Sequence, residues 1–213
     1  MRHHFSEQLD VVFDDLAGLA ASVQTAVRRA TEALVNADGP LAEGVISGDA
    51  DIDARRDRTE EKCFRILSLQ QPVAGDLRTV VAALRMGTEL ERAGDLATHV
   101  AKVARMRVPG HAVPDDLAPV VARMAEIAVE MMGSCGEIIA GRDVAGLVAL
   151  GALDDEMDEL RARTLTALVD GDGRHGVEAV IDLALISRYY ERIGDHAVSV
   201  AKRVAYVVTG ERP

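Results

Sequence analysis

The chain has no tryptophan, and aromatic residues make up only 3% of its 213 residues. Its core must therefore be built from alanine, valine, leucine, isoleucine and methionine. Two cysteines are too few, and too far apart, for a disulfide framework or a zinc site of paired cysteines. No apolar run approaches the roughly 20 residues of a transmembrane helix, and residues 1–10 lack the apolar segment of a signal peptide. These absences predict a cytoplasmic protein that does not insert into a membrane.

Positive charge is also scarce, with 24 lysines and arginines against 35 acidic residues and a formal net charge of −11. This balance disfavours a nucleic-acid-binding protein, which needs a basic surface to neutralise phosphates. It is compatible with the binding of cations. The chain carries no Walker-type phosphate loop, no G-x-S-x-G elbow and no H-E-x-x-H motif. Because no residue stands out as a nucleophile, we predict no catalytic residues and no enzyme.

Breaks rich in glycine, proline and aspartate, among them Pro109–Pro114 and Asp170–Gly173, divide the chain into long stretches of helical periodicity. The period-two alternation of strands is absent. The clearest helical stripe recurs in steps of three and four, as one buried helix face should, and consists of Leu183, Ile186, Tyr190, Ile193, Ala197, Val200, Val204 and Val207. The predicted helices span about 5–35, 41–69, 74–106, 115–140, 143–169 and 175–208.

An internal repeat dominates the sequence. Glu91–Lys102 aligns with Glu191–Lys202 at an offset of 100, with eight identities in twelve positions, as E-R-x-G-D-x-A-x-x-V-A-K. A weaker match aligns residues 49–53 with 154–158 at an offset of 105, which predicts a shorter loop between the second and third helices of the second half. The chain is therefore predicted to be a duplicated three-helix unit, with one repeat at 1–108 and the other at 114–213.

Each repeat carries two pairs of acidic residues spaced four apart, which places both carboxylates of a pair on one helix face. Like charges so placed repel, whereas a hard divalent or trivalent cation would reverse the sign of that effect. Two pairs on neighbouring helices would supply four oxygen ligands. The candidate metal ligands are Asp49, Asp53, Glu91, Asp95, Asp154, Asp158, Glu191 and Asp195.

Simpler explanations stay open for these residues. With 35 acids, about six such pairs are expected by chance, so one pair alone is a weak motif. Arg92 and Arg192 could neutralise the aspartates that follow them as surface ion pairs. His99 and His196 could be outer ligands or ordinary histidines. The duplication favours the metal interpretation.

Gly94 lies inside the repeated motif, where a glycine lowers the stability of a helix by about 1 kcal/mol relative to alanine. Its counterpart Gly194 carries the same cost. Close helix packing or room for a bound ion cluster would compensate for it.

Two further segments, Leu69–Arg78 and Arg188–Ala197, join the repeated Glu-Arg-x-Gly-Asp motif in a combination that resembles the PhoU family of bacterial regulators of phosphate transport and phosphate signalling. The resemblance covers essentially the whole chain. It implies two tandem three-helix bundles related by pseudo-two-fold symmetry, with a metal motif in each. Iron, manganese, magnesium or zinc are the ions it suggests. The chain departs from the family pattern at Arg55, Arg56 and Arg58, and its second repeat lacks a counterpart of Leu69–Arg78.

The resemblance also implies a function. Members of the family repress the phosphate-starvation response, as adaptors between the phosphate-specific ABC transporter and a sensor histidine kinase. We therefore expect a non-enzymatic cytoplasmic adaptor with these two partners and no nucleic acid; a homodimer stays open. The alternative is a carboxylate-bridged iron or manganese protein, or a metal-dependent enzyme that uses the same acids.

Overall fold

The computed structural model of the chain describes residues 2–170 and 174–211, with side chains from residue 6 onward. Within these ranges the chain forms six α-helices and no β-strand: α1 (Arg2–Asn36), α2 (Gly39–Gln70), α3 (Ala74–Arg107), α4 (Ala118–Gly141), α5 (Gly146–Asp170) and α6 (Val177–Thr209). The predicted all-helical class is confirmed, and each helix end lies within three residues of the predicted one. Residues 171–173 of the predicted turn at Asp170–Gly173 lie outside the described residues.

The helix ends follow from local sequence. Asp38 caps α2 by accepting a hydrogen bond from the Leu41 backbone N–H at 2.9 Å, and Pro40 lies in the first turn. α6 ends at Gly210, whose φ of +79° favours glycine and whose N–H donates to the Tyr206 carbonyl at 3.0 Å. Capping and turn chemistry therefore set these boundaries.

α4 and α5 each begin three residues later than predicted because turns precede them. The Pro114 carbonyl accepts hydrogen bonds from the backbone N–H groups of Leu117 and Ala118. The Asp143 carboxylate accepts one from the Ala145 N–H at 2.8 Å. Asp favours such turns because its side chain can bond to nearby backbone.

The helices pack as two bundles side by side. α1, α2 and α3 contact one another, and α4 and α6 contact each other and α5. Between the halves, α1 packs against α4 and α3 against α6, whereas α2 and α5 lie on the outside. Each inter-bundle contact thus joins two helices that occupy the same place in the repeat. This arrangement confirms the predicted pair of three-helix bundles with pseudo-two-fold symmetry.

The core is aliphatic, and the α6 stripe lies at its centre. Every stripe residue from Leu183 to Val204 is fully buried, and the Tyr190 side chain is among the largest of them. On α3 the matching positions Leu90, Gly94, Ala97 and Ala101 are also buried, and the last three are small enough to allow a close approach of neighbouring helices. Of the helices described, none has the length and apolar character of a membrane span.

The five-residue difference between the two halves lies in the helices. α2 continues for 17 residues beyond Asp53, whereas α5 continues for 12 beyond Asp158. The expected shorter loop in the second half is therefore wrong; its helix is shorter instead. Because a helix rises 1.5 Å per residue, α2 extends about 7 Å farther past its acidic residues than α5 does.

Candidate functional site

The structure brings the predicted acids of each half together between the second and third helices of that half. The first acidic cluster, between α2 and α3, consists of Asp49, Asp53, Glu91 and Asp95. The second acidic cluster, between α5 and α6, consists of Asp154, Asp158, Glu191 and Asp195. Metal coordination by these eight residues stays a prediction.

Electrostatic coupling is evident in the first acidic cluster. Burial raises the pKa of Asp49, and repulsion from Asp95 and Asp53 raises it further. The Thr98 hydroxyl and the Lys102 ammonium group act in the opposite direction. A desolvated carboxylate near like charges is costly, and Asp49 is in that position.

Glu91 is the member of the first acidic cluster that forms an ion pair with an arginine. Burial raises its pKa, the Arg56 guanidinium lowers it, and repulsion from Asp95 and Asp53 leaves the net pKa above the ordinary value. Arg56 Nη2 lies 3.7 Å from the Glu91 carboxylate, while Arg56 Nη1 donates to Glu60 at 2.6 Å. Arg56 Nη1 also lies 3.0 Å from the Asp57 carboxylate, so Arg56 divides its charge among three acids.

The second acidic cluster repeats this arrangement. Burial raises the pKa of Asp154, with repulsion from Asp195 and Asp158 as the next causes. Lys202 lowers it, as Lys102 does for Asp49 in the first half. The lysine that closes the repeated motif is thus the counter-charge of each cluster.

Glu191 is the most buried acid of the two clusters, with 8% of its surface exposed. Burial raises its pKa, as does Asp195, while Arg188 and Arg161 act to lower it. Arg188 also donates hydrogen bonds to the Glu191 carboxylate from one turn away. The second glutamate is therefore paired more closely with arginine than the first.

Sequence reasoning did not find Arg56 and Arg161 as partners of the glutamates. They lie at equivalent positions, because the offset of 105 that aligns Asp53 with Asp158 also aligns these arginines. Each has a buried Nε atom with no hydrogen-bond partner in the described structure. Extending the alignment by three residues would have revealed the pair.

The described side-chain positions do not converge on a single point. In the two ranges that the structure describes, no group of three or more His, Cys, Asp or Glu side chains is placed to hold a metal ion. Asp95 and Asp195 are exposed and have no ion pair with the preceding Arg92 or Arg192. Asp158 is exposed as well, so these three aspartates are the acids of the two clusters most open to solvent.

The two histidines near the motifs lie at the interface between the bundles. The His196 ring is buried, and its Nδ1 lies 2.7 Å from the Glu89 carboxylate across the interface between the bundles. Arg203 donates to the same carboxylate at 3.2 Å. His99 is exposed and stacks on Tyr189, with 5.4 Å between ring centroids. Both histidines thus contribute to the contact between α3 and α6.

Helix packing accounts for the first glycine of the repeated motif. A Cβ at Gly94 would lie 3.2 Å from two atoms of Ile52, the residue before Asp53 on α2. A Cβ at Gly194 would lie 3.0 Å from the Met131 sulfur and 3.6 Å from a carboxylate oxygen of Asp154. The second glycine therefore borders its acidic cluster, whereas the first sets the spacing of α2 and α3.

We expect Gly94→Leu to lower the free energy of unfolding by about 1–3 kcal/mol, because the added side chain must displace the stiff, β-branched Ile52. Gly48→Ala on α2 is the matched control: a Cβ there meets no atom within 4 Å. It should raise the unfolding free energy by up to about 1 kcal/mol through helix propensity. Urea unfolding measures both, and equal effects of the two variants would contradict close packing at Gly94.

The fold and the two clusters define a class of protein. Its members consist of two similar three-helix bundles, and each bundle carries four carboxylates between its second and third helices. The PhoU domain family profile matches residues 16–104 and 121–204. The chain belongs to this family.

Curated relatives cover its full length. It is 43% identical over 213 residues, all of both chains, to the phosphate-specific transport system accessory protein PhoU homolog 2 of Mycobacterium tuberculosis. It is 30% identical to the PhoU homolog of Caulobacter vibrioides, across 97% of this chain and 90% of that protein. Both halves of the chain are therefore shared with relatives.

Solved structures have the same architecture. The crystal structure of PhoU from Pseudomonas aeruginosa aligns with a TM-score of 0.87 and 28% identity, across 97% of this chain and all of that one. PhoU from Streptococcus pneumoniae aligns with a TM-score of 0.88 at 21% identity, across 98% of this chain and 99% of that one, and supports the fold alone.

Proposed function

We propose that the protein is an accessory regulator of phosphate uptake that acts as an adaptor and catalyses no reaction. It links the phosphate-specific ABC transporter to the sensor histidine kinase of a two-component system at the cytoplasmic face of the membrane. When phosphate is ample, it represses the phosphate-starvation response. The observation that carries the proposal is the 43% identity, over the full length of both chains, to a relative named as an accessory protein of the phosphate-specific transport system.

We further propose that the two acidic clusters hold hard metal ions. Carboxylate oxygens are the ligands that iron, manganese and magnesium ions accept. The pKa values of Asp49 and Asp154 are raised first by burial and then by repulsion from neighbouring aspartates, and a cation would relieve that repulsion. Three aspartates of each cluster would hold the ion. They are Asp49, Asp53 and Asp95 in the first cluster, and Asp154, Asp158 and Asp195 in the second. Binding requires these side chains to turn toward one another, and the role of the ion would be charge neutralisation.

A deletion strain tests the regulatory role. In phosphate-rich medium, a reporter fused to a phosphate-scavenging gene should be silent in the parent strain and active in the deletion strain. The wild-type gene supplied from a plasmid should silence it again. Normal repression in the deletion strain would refute the proposal.

The alternative of a metal-dependent enzyme makes a different prediction. It requires turnover or redox cycling when iron or manganese is added to the purified protein. Metal binding without either activity, together with a derepressed deletion strain, would favour the adaptor.

A further inference from the structure

A groove with an excess of positive charge lies where the beginning of α3 meets the end of α6. We call it the cationic groove; its volume is about 630 Å³, and the lining residues that matter here are Leu77, Arg78, Val81, Arg85, Arg203 and Tyr206. We propose that the cationic groove docks an acidic segment of a partner protein, in which apolar side chains alternate with carboxylates. The inference rests on the proposed adaptor function and names the surface that makes the contact.

The arginines of the cationic groove are incompletely paired. Arg78 donates to the Val207 backbone carbonyl at 3.4 Å and lies over the Tyr206 ring, 5.4 Å from its centroid. Arg85 is exposed and has no acidic partner within the described part of the chain. Arg203 alone has a carboxylate, that of Glu89, which it shares with His196.

This local excess of positive charge is unusual on a chain with a formal net charge of −11. The guanidinium fork binds carboxylates in a bidentate manner. An acidic partner is therefore repelled by most of the surface and attracted here.

The apolar residues of the groove favour a protein segment over a small anion. Leu77 and Val81 are 42% and 37% exposed, and Val73, just before α3, is 74% exposed. A phosphate ion is strongly hydrated and would leave these side chains in water, whereas a peptide would cover them. From Ala74 to Arg85 the groove follows α3 for about 16 Å, long enough for three turns of a partner helix.

The opposite corner of the molecule, where α6 begins and α3 ends, provides an internal comparison. There Arg107 donates to both carboxylate oxygens of Asp182, at 2.5 and 3.0 Å, and also pairs with Glu178. At the offset of 100, the residues of the cationic groove that correspond to Arg107, Asp182 and Glu178 are Val207, Ala82 and Arg78.

At the corner where α6 begins and α3 ends, Arg107 is therefore fully paired with acidic residues of the same chain. At the other corner both acids are replaced, and Arg78 and Arg85 have no carboxylate partner among the described residues. The cationic groove is thus not a requirement of helix packing, since the same packing exists without it.

A peptide binding assay tests the groove directly. The probe is a 16-residue helical peptide with leucines along one face and glutamates beside them, and its control carries lysines in place of the glutamates. The acidic peptide should bind the wild-type protein at least about tenfold more tightly than the basic one. Arg78→Glu with Arg85→Glu should weaken it at least about tenfold, and Leu77→Asp should weaken it as well.

Matched control variants distinguish the loss of groove contacts from the effect of a changed net charge. Arg58→Glu with Arg163→Glu makes the same charge change at exposed positions on α2 and α5. Val177→Asp places a charge at the position equivalent to Leu77. Both should leave peptide affinity within about twofold, and circular dichroism should report unchanged folding in every variant. Equal losses in test and control variants would overturn the inference, as would Arg78- and Arg85-dependent binding of tripolyphosphate without any binding of the peptide.

A second arm uses the purified phosphate ABC transporter and the cytoplasmic part of the sensor kinase. If wild-type protein binds one of them and the Arg78→Glu, Arg85→Glu variant loses that binding, the groove is the docking surface. If the variant binds as well as wild type, the groove inference fails while the adaptor proposal stands. If wild-type protein binds neither partner, the adaptor proposal fails, and the peptide assay alone decides the groove.

Discussion

Titration with Mn²⁺ is expected to raise the thermal unfolding midpoint of the wild-type protein by roughly 5–10 °C. At a metal concentration of 100 times Kd, one site adds about 2.7 kcal/mol to the free energy of unfolding, and for a chain of this length each kcal/mol shifts the midpoint by roughly 2–4 °C. Replacing Asp49, Asp95, Asp154 and Asp195 by asparagine should abolish the shift. Differential scanning calorimetry with and without the ion is the measurement.

The control removes two acids from the same outer helices without touching either cluster. Asp51 on α2 and Glu159 on α5 are both exposed, and their Asn and Gln variants should retain the full metal-induced shift. If the four-site variant responds to Mn²⁺ as the control does, the clusters are not the metal sites.

The pH dependence of this effect follows from the raised pKa values of Asp49 and Asp154. Because each pKa is higher in the folded protein than in the unfolded chain, the folded state binds more protons, and stability without metal falls as pH rises through the raised pKa. In the metal-free state the four-site variant should therefore be at least as stable as wild type at neutral pH. Protons compete with the ion, so the Mn²⁺ shift of wild type should shrink as the pH falls through the same range.

Truncation of Tyr190 is expected to destabilise both bundles together. The Tyr190 side chain is fully buried on α6, and its hydroxyl lies 2.8 Å from the Thr31 hydroxyl on α1, in the other half. Thr31 donates to the Val27 carbonyl at 2.9 Å, so Tyr190 is the donor between the two hydroxyls. Tyr190→Ala should lower the unfolding free energy by about 3–5 kcal/mol, and Tyr190→Phe by about 0.5–1.5 kcal/mol.

Urea unfolding with hydrogen exchange on α2 and α5 measures this effect. Because the hydrogen bond joins the halves, Tyr190→Ala should lower protection in both outer helices, and Thr31→Val should resemble Tyr190→Phe. Loss of protection in α5 with none in α2 would mean that the two bundles unfold independently.

Periodicity and repetition predict a duplicated three-helix unit, whereas the pseudo-two-fold arrangement of the two bundles is what the family resemblance implies. The spacing of apolar residues in α6 identified a helix face that is buried in the structure, and the twelve-residue repeat identified the duplication. These features are local or depend on a simple alignment of the chain with itself. The same logic placed the eight acids in two groups of four.

Features that depend on how one helix lies against another could not be predicted in this way. The contact of Arg56 with Glu91 depends on the rotation of α2 against α3. The bond between Glu89 and His196 joins residues 107 positions apart, in different halves. The length difference between the halves was assigned to a loop because an offset in an alignment does not show whether a helix or its connection is shorter.

The pairing of equivalent helices across the interface makes this single chain resemble a symmetric assembly of two subunits encoded in one gene. In a true homodimer, any substitution appears twice, so both ends of the interface would have to accept the same change. Covalent duplication removes that constraint. Selection can therefore retain the Arg107–Asp182 ion pair at one end of the interface while the other end changes independently and acquires specificity for a binding partner.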